Sequence, residues 1–441
     1  MALACLVAYA NAFGNAFVAG DLQFIQNNST LAGDDVLVNA FARGYWWVGQ
    51  SQESGTYYRP FVVLLDAWDK TLWGNKPFGF HLTNLLLHIA VSLVVLRLTR
   101  AWTRSPITAA AAAILFAVHP LHVHAVTYIS ARSALLCTLF YSAAVLLAIQ
   151  WRRAALLGRA RPRELALIAA CFVGGLLSLE AAITLPVALA FVLFPPADRR
   201  RAWAKKLWPL AVALGALGLG YFAVRRAALG TLLSQKEALT HNLPPLESAL
   251  TIVKTLGYYA VKLVVPTDVS YLPPFLPVLR PADPLGIAAV IGVAAALFAW
   301  PRRWRVERAA TLWVLLTLMP VAGFMPLDHF VKGQYAYLPS VGFCVLAASL
   351  VRRAIKAARR RWATWALGGA LGAAALAFTV LTMVENRYWR DTESLFGRVM
   401  ALEGQIPDEV FAHPVMTPTA NRFSTVHLTV EKRLAVGVIT G

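Results

Sequence analysis

Residues 80–100 read FHLTNLLLHIAVSLVVLRLTR. The apolar run over 80–96 is followed directly by Arg97 and Arg100. A helix of about 20 apolar residues crosses the hydrocarbon core of a bilayer, and Lys and Arg collect in the cytoplasmic loops beside such helices. This segment therefore predicts a transmembrane helix that ends in the cytoplasm.

Similar runs recur along the chain as far as residue 384. Of the 441 residues, 58% are hydrophobic and 14% are charged, whereas soluble domains are about half apolar and about a quarter charged. The predicted spans are 3–19, 80–96, 107–118, 133–150, 165–179, 183–194, 207–224, 287–300, 309–325, 335–351 and 362–384. The pattern predicts an all-α polytopic membrane protein with about eleven transmembrane helices.

The net charge of +19 is concentrated between the apolar runs. Five clusters, at 97–104, 152–163, 199–206, 302–308 and 352–361, hold 23 of the 41 Lys and Arg residues, and only three acids, Glu164, Asp198 and Glu307, accompany them. A nucleic-acid-binding protein needs its basic residues on one solvated face, but these follow the positive-inside pattern. We predict a cytoplasmic N-terminus, an external C-terminus and no nucleic-acid partner. The alanine-rich spans and many arginines are typical of a bacterial inner-membrane protein.

The alternation of sides sets one segment apart. Residues 248–265 are helix-like, but the loops on both sides must be external, and Lys254 and Lys262 disfavour a lipid-crossing position. We predict an interfacial or re-entrant helix. The long external loop over 20–78 is rich in aromatic rings, which an aromatic belt at the headgroups accounts for. A sugar-stacking surface is the alternative for a few of them.

Polar residues cluster in the external segments. They are Asp21, Asn27, Asn28, Tyr57, Tyr58, Arg59, His119, His122, His124, Arg132, Glu180, Asp328, His329, Lys332, Tyr335 and Tyr337. Ionisable residues at membrane depth are costly and line cavities or pathways, so we predict one shared external pocket. For Asp21 the plain alternative is a helix end in water. Glu180 lies between two short apolar runs, where a carboxylate without a function is expensive.

Three histidines within six residues, at 119, 122 and 124, invite a metal-binding interpretation. No HExxH or CxxC motif accompanies them, so hydrogen bonds to neighbouring groups or to a phosphate are favoured. A divalent metal has no further support in the sequence, and no metal ligands are assigned. The four cysteines lie in apolar runs, which favours small buried residues over disulfides.

Several short motifs together resemble a known family. They are VAYAN (7–11), GNAF (14–17), YRP (58–60), NKPFGFHLTNLLLH (75–88), LFAVHPLH (115–122), YLPSVGF (337–343) and NRYWRD (386–391), with Asp21 and Glu180 between them. In this order they resemble the transmembrane and tetratricopeptide-repeat protein O-mannosyltransferases and their bacterial relatives, of the C-type glycosyltransferase superfamily. The resemblance covers residues 1–398, which it identifies as one glycosyltransferase-like membrane domain.

The resemblance implies an activity and a set of site residues. It implies transfer of a monosaccharide from a polyprenyl-phosphate donor to a protein or glycan hydroxyl on the extracytoplasmic side, with no firmly implied cofactor. Asp21 matches an acidic position and is the candidate general base. Glu180 would position the acceptor or share the acid–base work. The residues that would bind the donor phosphate or the substrate are Arg59, Arg132, His119, His122 and Tyr337.

The sequence also departs from the family pattern. Gly20 replaces the first acid of a pair, His124 replaces a glutamate, Leu179 replaces a lysine, and Gly333 with Gln334 replace a charged pair. The tail over 399–441 shows no tetratricopeptide repeat, and we expect it to be external. These departures favour altered specificity or lost activity.

Two other classes of protein fit the same polar groups. A transporter or flippase of a lipid-linked substrate would also line a cavity with them, but its repeats should give matching halves, which the sequence lacks. A catalytically silent membrane scaffold would fit the loss of the acid at position 20. The lipid-linked donor, a hydroxyl acceptor and the bilayer are the predicted partners of the enzyme.

Overall fold

The structure is a computed structural model that describes residues 1–45, 57–193, 200–230, 244–267, 269–271, 304–322, 331–358 and 361–403. Within these ranges the regular elements are all helical. The α-helices are α1 Ala2–Tyr9, α2 Val36–Ala42, α3 Pro60–Trp73, α4 Pro77–Thr103, α5 Pro106–Ala117, α6 Val123–Val126, α7 Arg132–Leu156, α8 Pro162–Leu176, α9 Leu185–Leu193, α10 Arg200–Leu229, α11 Pro245–Val264, α12 Arg305–Leu318, α13 Tyr337–Ala358, α14 Arg361–Tyr388 and α15 Thr392–Glu403.

Short helical turns connect the long helices. They are Ala10–Gly14, Leu22–Gln26, Ser29–Ala32, Pro120–His122, Ile129–Ala131, Glu180–Thr184, Met319–Val321 and Gly333–Ala336. Proline opens α3, α4, α5, α8 and α11, because its fixed φ suits the first turn and its missing N–H has no partner there in any case. The short turns bring the segments predicted to be external together at one end of the bundle.

The described part of the chain contains five helices that are long and apolar enough to cross a membrane. They cover Pro77–Thr103, Ile129–Leu156, Trp203–Leu229, Gly333–Ala358 and Arg361–Tyr388, and the pair Pro106–Ala117 and Pro120–Val126, bent by 50°, makes a sixth if it is one span. The expectation of a helical membrane protein is confirmed. The count of eleven stays a prediction, since several expected spans are shorter helices here and 287–300 lies outside the described residues.

Helix α7 is the centre of the bundle. Its face carries many of the fully buried side chains and packs against α4, α8 and α9, while α5 and α13 complete the core. Helix α14 is the opposite case, because the described residues bury little of its apolar surface. A long helix that is apolar on all sides is typical of a membrane span.

The ends of α7 and α13 differ in chemistry. Arg132 begins α7, whose other end carries Arg152 and Arg153, and Tyr337 begins α13, whose other end carries Arg352 and Arg353. At that second end Glu307 accepts hydrogen bonds from Ser349 at 2.6 Å and from Arg353 at 2.5 and 2.9 Å. The candidate site residues and the basic clusters therefore lie at opposite ends of the same helices.

The predicted interfacial or re-entrant segment corresponds to α11, which carries Lys254 and Lys262. The backbone carbonyl of Leu263 accepts a hydrogen bond from His119 Nε2 at 3.0 Å. The hydroxyl of Tyr259 donates to the carbonyl of Lys332 at 3.1 Å. These bonds join α11 to the turns next to α5 and α13.

Candidate functional site

Asp21 lies where the first external segment meets the turn before α7. The chain turns at Ala19, whose φ of 49° is in the left-handed region, a conformation uncommon for residues other than glycine. The Asp21 side chain is fully buried, and its Oδ1 accepts hydrogen bonds from Ser130 N at 2.8 Å and Ser130 Oγ at 2.5 Å. Burial raises the pKa of Asp21 to about 6, although the bonds from Ser130 oppose the rise.

A side chain at position 20, where the resemblance expects an acid, would crowd its neighbours. A Cβ at this position would lie 2.5 Å from the Tyr128 hydroxyl oxygen and 3.1 Å from the ring of Phe24. Tyr128 is itself buried and stacks near Trp389, with ring centroids 5.3 Å apart. The space beside Asp21 is therefore filled by a phenol instead of a second carboxylate from the same loop.

Arg132 is surrounded by two acids from α3. Its Nη1 lies 3.0 Å from Asp66 Oδ1 and 2.9 Å from Asp69 Oδ2, and all three side chains are buried. Thr83 Oγ1 donates a further hydrogen bond to Asp69 Oδ1 at 2.7 Å. Burial raises the pKa of Asp66 to about 7 and also raises the pKa of Asp69, while Arg132 opposes both changes. The cluster joins α3, α4 and α7 at the end of α7 opposite Arg152 and Arg153.

A second ion cluster joins Arg59, Glu180 and Arg225. Glu180 Oε2 lies 3.2 Å from Arg59 Nη2, and its Oε1 lies 3.0 Å from Arg225 Nη1. Burial would raise the pKa of Glu180, but Arg59 and Arg225 outweigh it and hold the pKa below its usual value. The Arg59 guanidinium also lies over the Tyr57 ring at 4.2 Å, and its Nε has no hydrogen-bond partner within the described ranges.

An apolar groove between α8, α9 and α10 ends beside this second cluster. It has a volume of about 630 Å³. The residues that line it are Phe172, Ile183, Pro186, Leu189, Ala190, Leu193, Leu207, Leu210, Ala211, Leu214, Gly215, Gly218, Leu219 and Phe222. Ile183 follows Glu180 by three residues in one turn, and Phe222 precedes Arg225 by three, or about one helical turn. The groove therefore runs along the bundle towards two arginines.

The histidines form a separate buried group. His119 Nε2 donates to the Leu263 carbonyl and its Nδ1 accepts from Leu121 N at 3.3 Å. His122 Nε2 is 2.8 Å from Ser340 Oγ, and the hydroxyl of Tyr337 is 2.7 Å from His88 Nδ1. Among the described residues no group of three or more His, Cys, Asp or Glu side chains could hold a metal ion.

His124 and Gly333 are two departures from the family pattern that touch each other. A Cβ at position 333 would lie 2.6 Å from His124 Cγ. The His124 ring is buried and meets Trp389 edge-on, with ring centroids 5.0 Å apart. The imidazole occupies the space that any side chain at position 333 would need.

The structure gathers some of the predicted site residues and separates others. Arg59 and Glu180 form a direct hydrogen bond. Asp21 accepts hydrogen bonds from Ser130, which lies in the turn just before Arg132. His119, His122 and Tyr337 form hydrogen bonds in a different part of the bundle. Predicted residues Asp328 and His329 lie outside the described residues. The roles assigned to all of these residues stay predictions.

Sequence reasoning missed three ionised residues of the two clusters. Asp66 and Asp69 are three residues apart in an otherwise apolar stretch, and that spacing puts both on one face of a helix. Arg225 follows an apolar run on its external side, against the positive-inside pattern. Each of these signals was visible in the sequence.

Comparison with known proteins gives relatives of one kind. Protein O-mannosyl-transferase Tmtc3 of Drosophila melanogaster is 26% identical over 89% of this chain and 50% of its own length. Protein O-mannosyl-transferase F38B6.6 of Caenorhabditis elegans is 24% identical over 79% of this chain and 50% of its own length. Protein O-mannosyl-transferase TMTC3 of Homo sapiens is 34% identical over 31% of this chain and 15% of its own length. The chain spans about half the length of the first two relatives.

Solved structures supply the fold. The Archaeoglobus fulgidus oligosaccharyltransferase in its apo form has a TM-score of 0.51, with 16% identity, and covers 87% of this chain and 55% of its own. The oligosaccharyltransferase AglB of the same organism, in complex with an inhibitory peptide and a dolichol-phosphate, also has a TM-score of 0.51, with 15% identity. The match covers 94% of this chain and 58% of the AglB chain. No family profile matches the sequence. The resemblance noted in the sequence is confirmed: the relatives of this chain are protein O-mannosyl-transferases, and its helices have the fold of the oligosaccharyltransferases.

Proposed function

We propose that this protein is a membrane glycosyltransferase that moves a monosaccharide from a polyprenyl-phosphate donor to a protein or glycan hydroxyl on the extracytoplasmic side. The observation that carries the proposal is the apolar groove over α8, α9 and α10, whose lining reaches Ile183 and Phe222, each three residues along the chain from Glu180 or Arg225 of the Arg59–Glu180–Arg225 cluster. A lipid chain with a phosphate at one end has this pattern of chemistry. The names of the relatives support the transferase class.

The groove suits the lipid part of such a donor. Its lining from Leu207 to Phe222 extends for about 22 Å along α10 at 1.5 Å per residue. Each buried methylene group contributes about 0.8 kcal/mol, so an isoprenoid chain gains affinity along the whole length. The oligosaccharyltransferase AglB, which shares the fold, is in complex with a dolichol-phosphate, and dolichol-phosphate is a lipid of this kind.

The ion cluster suits the phosphate. Two guanidinium groups share one carboxylate, which leaves one net positive charge at the end of the groove. Guanidinium groups form paired, charge-assisted hydrogen bonds with phosphate oxygens. In this proposal Arg59 and Arg225 hold the donor phosphate and stabilise the charge that develops when the sugar leaves, and Glu180 positions both arginines.

Asp21 is the general base of the proposed reaction. The acceptor oxygen attacks the anomeric carbon, the bond from that carbon to the phosphate oxygen breaks, and the polyprenyl phosphate leaves with the electron pair. The hydroxyl proton passes to the Asp21 carboxylate, whose pKa of about 6 suits a base near neutral pH. One such displacement inverts the sugar. Arg132, His119, His122 and Tyr337 are buried and hydrogen-bonded or ion-paired, and we assign them positioning roles.

We also propose the predicted topology, with about eleven spans in a bacterial inner membrane. The N-terminus is cytoplasmic and the tail is external in this arrangement. Support comes from α7 and α13, which carry the basic clusters at the ends remote from Arg132 and Tyr337. Accessibility of single cysteines at Arg159 and Asp35 to a membrane-impermeant reagent tests it: only the second should react in intact cells.

The activity is tested by transfer of radiolabelled mannose from a synthetic polyprenyl-phosphate to a Ser- and Thr-containing peptide. Purified wild type is compared with Asp21→Asn, and mannose phosphate without lipid is the matched donor control. We expect the wild type to transfer mannose from the lipid-linked donor and not from mannose phosphate. No transfer from a panel of lipid-linked sugars would refute the enzyme and favour the transporter or scaffold.

A further inference from the structure

Three asparagines from distant parts of the chain meet beside the segment that leads to Asp21. Asn11 belongs to the VAYAN motif, Asn15 to the GNAF motif and Asn386 to the NRYWRD motif. The Asn11 amide nitrogen donates to the Met383 carbonyl at 2.7 Å, and the Asn15 amide nitrogen donates to the Asn386 carbonyl at 3.2 Å. The last turns of α14 therefore hold the chain on its way to Asp21.

The side chain of Asn386 is the centre of this group. It is fully buried, and its Nδ2 donates to the Ala8 carbonyl at 3.2 Å and to Asn11 Oδ1 at 3.1 Å. Its Oδ1 accepts a hydrogen bond from Thr127 Oγ1 at 2.5 Å. A primary amide has two N–H donors and one carbonyl oxygen, so the described residues occupy both donors and the acceptor of Asn386.

These partners lie on the two segments that carry the contact between Asp21 and Ser130. Thr127 precedes Ser130 by three residues in the turn before α7, and Ser130 donates two hydrogen bonds to Asp21. The other partners lie in the first part of the segment 8–21, which ends at Asp21. Asn386 therefore bonds to both segments, and the segments meet again where Ser130 bonds to Asp21.

We propose that Asn386 is a positioning residue for Asp21, because its amide ties together the two segments that form the Asp21–Ser130 contact. The inference rests on the proposed function, in which Asp21 is the general base. A buried network with every group satisfied favours one geometry, because a shift of either segment would leave a buried polar group unpaired. Asn386 acts through Thr127 and Ser130 and does not itself contact the substrate.

Replacing Asn386 with Leu changes no charge near Asp21. The ionisable groups that interact with Asp21, together with the arginine that pairs with one of them, are Tyr45, Asp66, Tyr128 and Arg132. Among the described residues Asn386 hydrogen-bonds to none of these. The bonds from Ser130 favour the ionised carboxylate and oppose the rise in the pKa of Asp21 to about 6. Weaker bonds from Ser130 should therefore raise this pKa further, so that the protonated form persists to higher pH.

The first test compares wild type, Asn386→Leu and Thr382→Val in the transfer assay. Thr382 is the matched control, because it lies one turn earlier on α14 and its buried hydroxyl donates to the Val118 carbonyl at 2.9 Å, outside both segments. Asn386→Leu should lower kcat about 10- to 100-fold, leave the donor KM within twofold and move the fall of kcat/KM at low pH to higher pH. Thr382→Val should leave the position of that fall unchanged. A wild-type position in Asn386→Leu, or the same shift in both variants, would overturn the assignment.

Titration of Asp21 without substrate separates this inference from the proposed function. The infrared band of its protonated carboxyl group is obtained as the difference between each protein and the same protein carrying Asp21→Asn. This band should persist to higher pH in Asn386→Leu than in wild type, even if no sugar tested is transferred. Equal titration in the two proteins would overturn the inference and leave an active transferase intact.

Two variants of Thr127 keep the test decisive if Asn386→Leu does not fold. Thr127→Val removes the hydrogen bond between the turn before α7 and Asn386, and it should shift the titration of Asp21 in the same direction by a smaller amount. Thr127→Ser keeps the hydroxyl group and should titrate as the wild type does. Wild-type titration of Asp21 in Thr127→Val would contradict a link through Asn386.

Discussion

Replacing Arg132 with Met should destabilise the fold itself. The change removes the cation that lies 3.0 Å from Asp66 and 2.9 Å from Asp69, and both carboxylates are about 1% exposed. Breaking a buried ion pair by removing one partner costs about 3–5 kcal/mol, since an uncompensated charge stays buried. We expect a loss of at least that size, because two carboxylates lose their partner.

The loss should depend on pH. The pKa of Asp66 is raised to about 7 by burial, and removal of Arg132 takes away a group that lowers it. At pH 5.5 the carboxyl therefore takes up a proton and the repulsion in the cluster falls. At pH 8 the folded state must either keep the buried, uncompensated carboxylate or take up a proton from a solution in which protons are scarcer, and both lower its stability. The melting temperature of Arg132→Met should thus lie further below that of the wild type at pH 8 than at pH 5.5.

Thermal unfolding in detergent, followed by tryptophan fluorescence, measures this difference. Arg225→Met is the control, because Glu180 keeps Arg59 as a partner at 3.2 Å and a smaller loss is expected. Adding Asp66→Asn and Asp69→Asn to Arg132→Met removes the buried charges and should recover much of the stability. A melting temperature of Arg132→Met equal to that of the wild type at both pH values would refute a structural role for this cluster.

Other variants test the groove, the repacked position 20 and the base. A Cβ at position 218 would lie 4.0 Å from Ile183 and Phe172 inside the groove. Gly218→Phe should therefore raise the donor KM about tenfold, the effect of losing roughly two buried methylene groups. Gly220→Phe on the same helix meets open space and should leave the donor KM unchanged. Gly20→Asp should lower the melting temperature because its Cβ would meet the Tyr128 hydroxyl at 2.5 Å, and Tyr128→Phe in the same chain should recover part of the loss. Asp21 acts as a base only when ionised, and burial raises its pKa to about 6, so kcat/KM should fall as the pH drops below about 6. Asp21→Asn should lack this fall at low pH. A wild-type profile that is flat between pH 5 and 8 would contradict the role of Asp21 as general base.

The bundle could be predicted from the sequence because its signals are local. A run such as 80–96 is apolar on every face and ends in arginines, which is enough to identify a membrane helix and its cytoplasmic end. Short apolar stretches were harder. The run over 3–19 divides into α1, a short turn and an extended segment that leads to Asp21, and no local pattern distinguishes that arrangement from a continuous helix.

The candidate site depended on contacts between residues far apart in the chain. Arg59 and Glu180 both stand out in the sequence, but their pairing across 121 positions is set by how α3 packs near the turn before α9. A forked guanidinium suits a donor phosphate, so the sequence favours phosphate binding by Arg132. The sequence could not reveal that two carboxylates of α3 already pair with Arg132. Pairing of this kind depends on tertiary packing.

At two of the departures from the family pattern, positions 20 and 333, a neighbouring ring fills the space of a side chain. A single substitution there therefore disturbs packing as well as chemistry. At position 20 the Tyr128 hydroxyl occupies the space of a side chain, and at position 333 the His124 ring does the same. Trp389 contacts both of these rings, so one aromatic wall fills two places from which charged groups are missing. A site that had only lost charges would leave cavities there, whereas the two rings fill the space of a side chain at both positions; His124 Nε2 is nevertheless a buried atom without a hydrogen-bond partner among the described residues. The packing instead favours a site rebuilt around different side chains, with Asp21 still buried and hydrogen-bonded beside it. Restoring an acid at position 20 alone would therefore test packing, and only the pair of changes at 20 and 128 would test chemistry.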